Sequence, residues 1–292
     1  MNIIPTFTCN FRCPFCFNQD RWNDHRIMDL DKLRNTLNSI EHIYGISIIG
    51  GEPTVLPKDY LKKLIDICRE RLGNKKPTLH TNLFSGIFDF YDLVDLKISY
   101  DPMDRQRQGR VLNNMIKQPG EYEIYMCVTK RLINNYGIAG LEKLSRRLHR
   151  RIHLEILDKV ENVNMSELMP TAKEIREFAK DIYRSDCYIA FSPINYIRGI
   201  CIKKTYTPID FDNDVSLTPD WKYQINASHN EGKKYYDTYE EAYQAFLNKH
   251  KEANVCKMCE FRSNCLDIYR VGENCITDYE IMSELRELKD KL

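Results

Sequence analysis

The sequence predicts an α/β protein, an open, partial (β/α)6 TIM-like barrel followed by a small cysteine-rich C-terminal domain. Three observations predict it. Short β-like runs alternate with amphipathic stretches over the first two-thirds of the chain, the rhythm changes near residue 186, and seven of the eleven cysteines gather in two tight groups. Alternation of this kind implies parallel strands joined by right-handed crossovers, with helices covering the sheet. Six units fall short of the eight that close a full barrel, so the sheet is expected to stay open.

The expected strands are Ile3–Thr8, Ile46–Ile49, Thr78–Thr81, Val94–Ser99, Glu123–Thr129 and Ile152–Leu157. Helices are expected near 29–43, 58–72, 85–91, 102–118, 135–150 and 171–184. The second shows its period plainly, with Leu61, Leu64, Ile65 and Cys68 on one stripe and Lys62, Lys63, Asp66 and Arg69 opposite. Beyond residue 186 the reading becomes β-rich around the turn signal Phe211-Asp212-Asn213-Asp214, which predicts a hairpin. Thr238 with Glu241 forms a capping-box pattern before a helix over Tyr239–Lys251. A cysteine-rich loop over 256–275 and a final helix carrying Ile281, Leu285 and Leu288 complete the chain. The expected units are therefore residues 1–186 and 187–292.

Composition narrows the function classes. Apolar residues at 42% and charged residues at 29% suit a folded, water-exposed protein, and a net charge of +1 gives no global footprint for nucleic acid. No run of eighteen apolar residues exists for a membrane span, and no basic segment leads into an apolar stretch at the start. A cytoplasmic, reducing location is expected, where grouped cysteines read as metal or iron–sulfur ligands rather than disulfides. The scattered Cys68, Cys127, Cys187 and Cys201 read as small buried side chains, and His80 on the third strand as a core histidine.

The first group is Cys9-Asn-Phe-Arg-Cys13-Pro-Phe-Cys16, directly after the first strand. Three thiolates on one tight loop can wrap one face of a cubane, and no nearby fourth ligand completes a tetrahedral zinc site. A four-iron cluster held by three cysteines keeps one iron open, which points to chemistry rather than scaffolding. Phe15, between the last two cysteines, is placed to pack against the cluster or its ligand. The second strand ends in Gly50-Gly51-Glu52-Pro53, where glycines allow close backbone approach.

With these two motifs the sequence resembles the radical S-adenosylmethionine (SAM) superfamily, whose signature is Cys-x3-Cys-x2-Cys followed, one βα unit later, by a Gly-Gly-Glu-Pro element. The resemblance implies that Cys9, Cys13 and Cys16 hold a [4Fe-4S] cluster and that Gly50, Gly51, Glu52 and Pro53 receive the methionine end of SAM. It also places Asn82 and Ser99, at the ends of the third and fourth strands, in the SAM pocket. Asn82 and Asp101 read equally well as turn-forming or capping residues. Of the basic set Arg105, Arg107 and Arg110, one is expected to reach inward and two to face solvent.

Cys256-x2-Cys259-x5-Cys265, with Cys275 downstream, resembles part of the SPASM domain of peptide-modifying radical SAM enzymes. Asp214, Pro219 and Tyr269 stand where that pattern has a glycine and two cysteines, so the resemblance implies one auxiliary [4Fe-4S] cluster in a shortened, twitch-like domain. Zinc on the same four residues, or Cys201 in place of Cys275, are the alternatives. The implied activity is abstraction of a hydrogen from a peptide or protein substrate, maturing a ribosomally made precursor by oxidative cross-linking or dehydrogenation. The alternative substrate is a small sugar or cyclitol. The implied redox partner is a flavodoxin- or ferredoxin-type electron donor.

Overall fold

The computed structural model describes residues 1–157, 164–185, 188–198, 215–225, 234–252 and 272–291. The six expected strands are all present: β1 (Asn2–Ile3), β2 (Ser47–Ile48), β3 (Thr78–Thr81), β4 (Asp95–Ser99), β5 (Tyr122–Val128) and β6 (Ile152–Ile156). They pair in parallel in sequence order, so each crossover returns the chain to the neighbouring position. Two further parallel strands extend the sheet, β7 (Ile189–Phe191) beside β6 and β8 (Val215–Leu217) beside β1. β9 (Tyr223–Ile225) and β10 (Lys234–Tyr236) then add antiparallel edges, giving the order β10-β9-β8-β1-β2-β3-β4-β5-β6-β7 with β10 and β7 at opposite ends. The sheet is open because its two end strands do not pair with each other, although it holds four strands more than the six expected.

The outer face of the sheet is the core. Ile3, Ile48, Leu79, Ile98, Ile124 and Ile152 are wholly buried beneath the crossover helices. Those helices are α1 (Leu30–Ser39), α2 (Lys58–Arg71), α3 (Gln108–Lys117), α4 (Gly137–Leu148) and α5 (Ala172–Arg184), with a short α6 (Ser192–Ile197) after β7. Each begins for a local reason where one can be named. The Asp29 carboxylate accepts from the Lys32 N–H to cap α1, and Thr171 with Glu174 forms a reciprocal capping box at α5. The same device starts α7 (Tyr239–Glu252), where Thr238 Oγ1 accepts from the Glu241 N–H and the Glu241 carboxylate accepts from the Thr238 N–H. The last helix, α8 (Gly272–Lys289), buries Ile281, Leu285 and Leu288, and position 275 falls in its first turn.

Two local expectations change. No helix forms over 85–91. Gly86 sits at φ +147, and the Phe88 N–H and C=O are both taken by the Gln118 side-chain amide at 2.8 and 3.1 Å, leaving no partners for a helical ladder. The turn signal at 211–214 lies outside the described residues. The described hairpin joins β8 to β9 through 218–222, where Thr218 N–H donates to the Lys222 carbonyl and Trp221 takes a left-handed φ of 64. Among the described residues no helix is long and apolar enough to cross a membrane.

Candidate active site

The cysteine loop is fixed by the sheet below it. Beyond β1 the parallel ladder continues, with Gly51 N–H donating to Thr6 C=O at 3.1 Å and Glu52 N–H to Thr8 C=O at 2.8 Å. A bridge between Thr6 and Ile27 closes the loop at its base. Gly51 is obligatory here, because an added Cβ would lie 2.2 Å from the Thr8 carbonyl oxygen and 2.4 Å from that of Phe7, both immovable backbone. Gly50, at φ +130, turns the strand end toward the loop.

Inside the loop the thiols are half-buried and already oriented. Phe11 N–H points to Cys9 Sγ at 3.4 Å and Asn18 N–H to Cys16 Sγ at 3.4 Å, while Cys16 N–H closes a turn on the Cys13 carbonyl at 3.1 Å. Burial pushes the Cys9 thiol up to about 11, against the backbone hydrogen bond from Phe11, and Cys13 up to about 12, against the Arg105 charge. Thiolate ligation therefore needs the compensating charge of a metal. Among the described residues no three His, Cys, Asp or Glu are grouped to hold a single ion. Three thiols without a fourth ligand fit a polynuclear iron–sulfur cluster rather than zinc.

Glu52 is a strut. Its carboxylate is buried, and Oε1 accepts from the Thr54 N–H (3.0 Å), the Thr54 hydroxyl (2.8 Å) and the Thr81 hydroxyl (2.7 Å). Oε2 accepts from the Asn82 N–H at 2.6 Å. Burial pushes this carboxyl above its usual range, with the four hydrogen bonds opposing. Pro53 opens the one-turn helix that follows. Asn82 carries the linkage onward, donating from Nδ2 to Asn10 Oδ1 at 2.7 Å with Cys9 Sγ 4.0 Å away, while its Oδ1 accepts from the Phe84 N–H. The end of β2, the end of β3 and the cysteine loop thus form one hydrogen-bonded unit.

Residues 3–98, which include both motifs, match the family model of the Radical SAM superfamily. The match covers about a third of the chain. Its fold is shared with histidine-tagged anSMEcpe with bound AdoMet (TM-score 0.69, 14% identity, 100% of this chain and 97% of that one). Native anSMEcpe with bound AdoMet and Cp18Cys peptide is similar at TM-score 0.65 and 15% identity, over 99% and 98% of the two chains. SuiB of Streptococcus suis bound to precursor peptide SuiA is similar at TM-score 0.64 and 16% identity, over 90% of this chain and 70% of that one. No curated protein matches in sequence.

Around the cysteine loop the fold assembles groups that the sequence left apart. Arg105 is the inward-facing arginine of its set. Its guanidinium lies 2.8 Å from Asp101, 5.7 Å from the Phe15 ring and 5.8 Å from the Phe11 ring, and it donates to the Ser99 carbonyl at 3.1 Å. Burial works against this charge, but Asp101 and the neighbouring thiols more than restore it, so Arg105 stays protonated. Asp101 Oδ1 also accepts from the Cys127 N–H at 2.7 Å, which brings β4 and β5 together over the loop. Phe15 packs with Leu157, Met165 and Leu168 beside Cys13 and Cys127. Arg107 and Arg110 face outward over Phe84. Position i+4 between Asp101 and Arg105 was the available sequence signal for the pair, but nothing local identified Cys127 as their neighbour.

The inner face of the barrel is polar. His80, Lys97 and Glu123 are register partners across β3, β4 and β5, and Ser99, Tyr125 and His153 across β4, β5 and β6. The Tyr125 and His153 rings stack at 4.5 Å, Lys97 Nζ lies 4.9 Å over Tyr125, and His153 Nε2 is 3.0 Å from the Glu123 carboxylate. Burial and the Lys97 charge push His80 down to about 4, so its ring is neutral at pH 7. Cys256, Cys259, Cys265 and Cys201 lie outside the described residues.

Proposed function

We propose that this chain is a radical SAM enzyme that modifies a peptide or protein substrate, oxidatively cross-linking or dehydrogenating a ribosomally made precursor. The observation that carries the reading is the cysteine loop laced to the Gly-Gly-Glu-Pro strand end at the mouth of an open parallel barrel. The anSMEcpe and SuiB structures that share this fold were obtained with AdoMet and with peptide, which supports the substrate class. Cys9, Cys13 and Cys16 hold the first [4Fe-4S] cluster. When bound, that cluster supplies the electron that splits SAM into methionine and a 5′-deoxyadenosyl radical. Backbone at Gly50, Gly51 and Pro53, with Asn82 and Ser99, orients SAM, while Glu52 holds this rim together from beneath. Phe15, with Leu157, Met165 and Leu168, keeps water from the Cys13 side. The polar inner face, His80 through His153, orients the substrate below.

In this reading residues 1–186 are the SAM-binding unit. Residues 187–292 form a shortened SPASM- or twitch-like unit in which Cys256, Cys259, Cys265 and Cys275 carry an auxiliary [4Fe-4S] cluster. The group these four cysteines would hold could accept the second electron, and a flavodoxin- or ferredoxin-type protein would supply the first, in the cytoplasm. The test is anaerobic incubation of reconstituted protein with SAM, reductant and precursor peptides encoded beside the gene. Formation of 5′-deoxyadenosine with a peptide lighter by about two mass units, the two hydrogens lost, is the expected result. Turnover of sugars or cyclitols with no peptide product overturns the substrate assignment.

A further inference from the structure

We infer that the side-chain amide of Asn18 donates a hydrogen bond to a sulfur of the iron–sulfur group on Cys9, Cys13 and Cys16, and so sets how readily that group accepts an electron. The inference rests on the radical SAM reading, because it needs a cluster on those three thiolates. Asn18 follows Cys16 by two positions and is 3% exposed. Neither its Nδ2 nor its Oδ1 has a hydrogen-bond partner among the described residues. A buried amide without a partner is costly, so its place beside the thiols needs a physical reason.

The other side-chain amides of the loop are all engaged. Asn10 accepts from Asn82 at 2.7 Å and donates to Ser85 at 3.4 Å, and Gln19 donates to the Pro14 carbonyl at 2.8 Å. The backbone of residue 18 is engaged as well. Its N–H donates to Cys16 Sγ at 3.4 Å, and its carbonyl accepts from the Arg21 N–H at 3.0 Å. Asn18 precedes the one-turn helix Gln19–Arg21, but its side chain makes no capping bond there. Arg21 fixes the segment, lying 2.8 Å from Asp24, 2.9 Å from Asp220 and 4.5 Å over the Phe7 ring. Residue 18 is thus held at the sulfur of the third cysteine with its amide uncommitted. Chemistry decides which end of that amide is used. Thiolate and sulfide sulfurs are electron-rich acceptors, so only the NH2 end can bond to them, and rotation about the last side-chain bond presents either end. An N–H···S bond favours the reduced, more negative state of a cluster over the oxidised one, which raises its reduction potential. Asn18 makes no bond to iron and acts through the cluster alone.

The experiment is an anaerobic redox titration of reconstituted protein followed by paramagnetic resonance, the first cluster's signal being the one that added SAM alters. Asn18→Leu keeps the size of the side chain and removes the donor. Asn18→Asp keeps the shape, removes the donor and adds negative charge. Both should move the midpoint potential of that signal to more negative values, Asn18→Asp further than Asn18→Leu, with iron content at the wild-type level. In the cluster-free protein Asn18→Leu should denature at the wild-type urea concentration or above it, because the chain loses no hydrogen bond of its own. An unchanged potential in Asn18→Leu, a lowered urea midpoint in that variant, or loss of iron from both variants overturns the inference and makes Asn18 a structural residue. A wild type with no SAM-sensitive signal sinks the radical SAM reading instead, so the two failures are distinguishable.

Discussion

Replacing Glu52 separates two roles for the Gly-Gly-Glu-Pro glutamate. A carboxylate that only contacts ligand can be changed with little effect on folding. Here Oε1 already accepts three hydrogen bonds and Oε2 a fourth, all from Thr54, Thr81 and Asn82. In Glu52→Gln one oxygen becomes an NH2. Its least harmful place is opposite the Asn82 N–H, 2.6 Å away, where donor then faces donor. A lost charge-assisted hydrogen bond plus a stranded buried N–H costs roughly 2–4 kcal/mol. Removing a buried charge returns part of that, leaving about 2 kcal/mol of destabilisation. Glu52→Ala strands all four donors and should cost about 4 kcal/mol or more. Urea denaturation of the cluster-free protein reads this directly, and SAM affinity and iron content should fall with it because Asn82 leads on to Asn10 and Cys9. Wild-type denaturation midpoints in both variants, with only SAM binding lost, would refute the strut and return Glu52 to the ligand.

Gly51→Ala drives a Cβ against the carbonyls of Thr8 and Phe7, so iron incorporation should drop sharply, measured against Gly45→Ala, which meets nothing within 4 Å. His80 is held neutral by the fold, with its pKa near 4 rather than 6.5. Stability from this group is therefore full above pH 6.5 and lost as pH falls toward 4, up to about 3 kcal/mol. His80→Phe should flatten that stretch of the stability–pH curve, and an unchanged slope contradicts the assignment. Reconstituted protein should bind about eight irons, four per cluster; the triple Cys9, Cys13, Cys16→Ala variant should keep about half of them but form no 5′-deoxyadenosine. Cys275→Ala should lose the second cluster's paramagnetic signal while Cys201→Ala keeps it, and the reverse moves the ligand to Cys201.

The strands and all but one of the expected barrel helices were legible in the sequence, because each is written locally. Alternation along β5 places Tyr122, Ile124, Met126 and Val128 on the buried face, and the two motifs that the family model spans, the cysteine triplet and Gly50-Gly51-Glu52-Pro53, are likewise local strings. The helix expected at 85–91 does not form because the Phe88 backbone finds its partner in Gln118, thirty positions away. The same distance in sequence hid the rest. Nothing near Val215 announces that it leads a strand parallel to β1. Glu52 turns inward because Thr81 and Asn82 arrive from β3 to meet it, and of three arginines in one helical approach only Arg105 meets a buried carboxylate and two aromatic rings. Periods of 2 and 3.6 record which face of an element is apolar. Which polar groups meet across the mouth of the barrel depends on strand order and register, and those are set only when the whole sheet closes its hydrogen bonds.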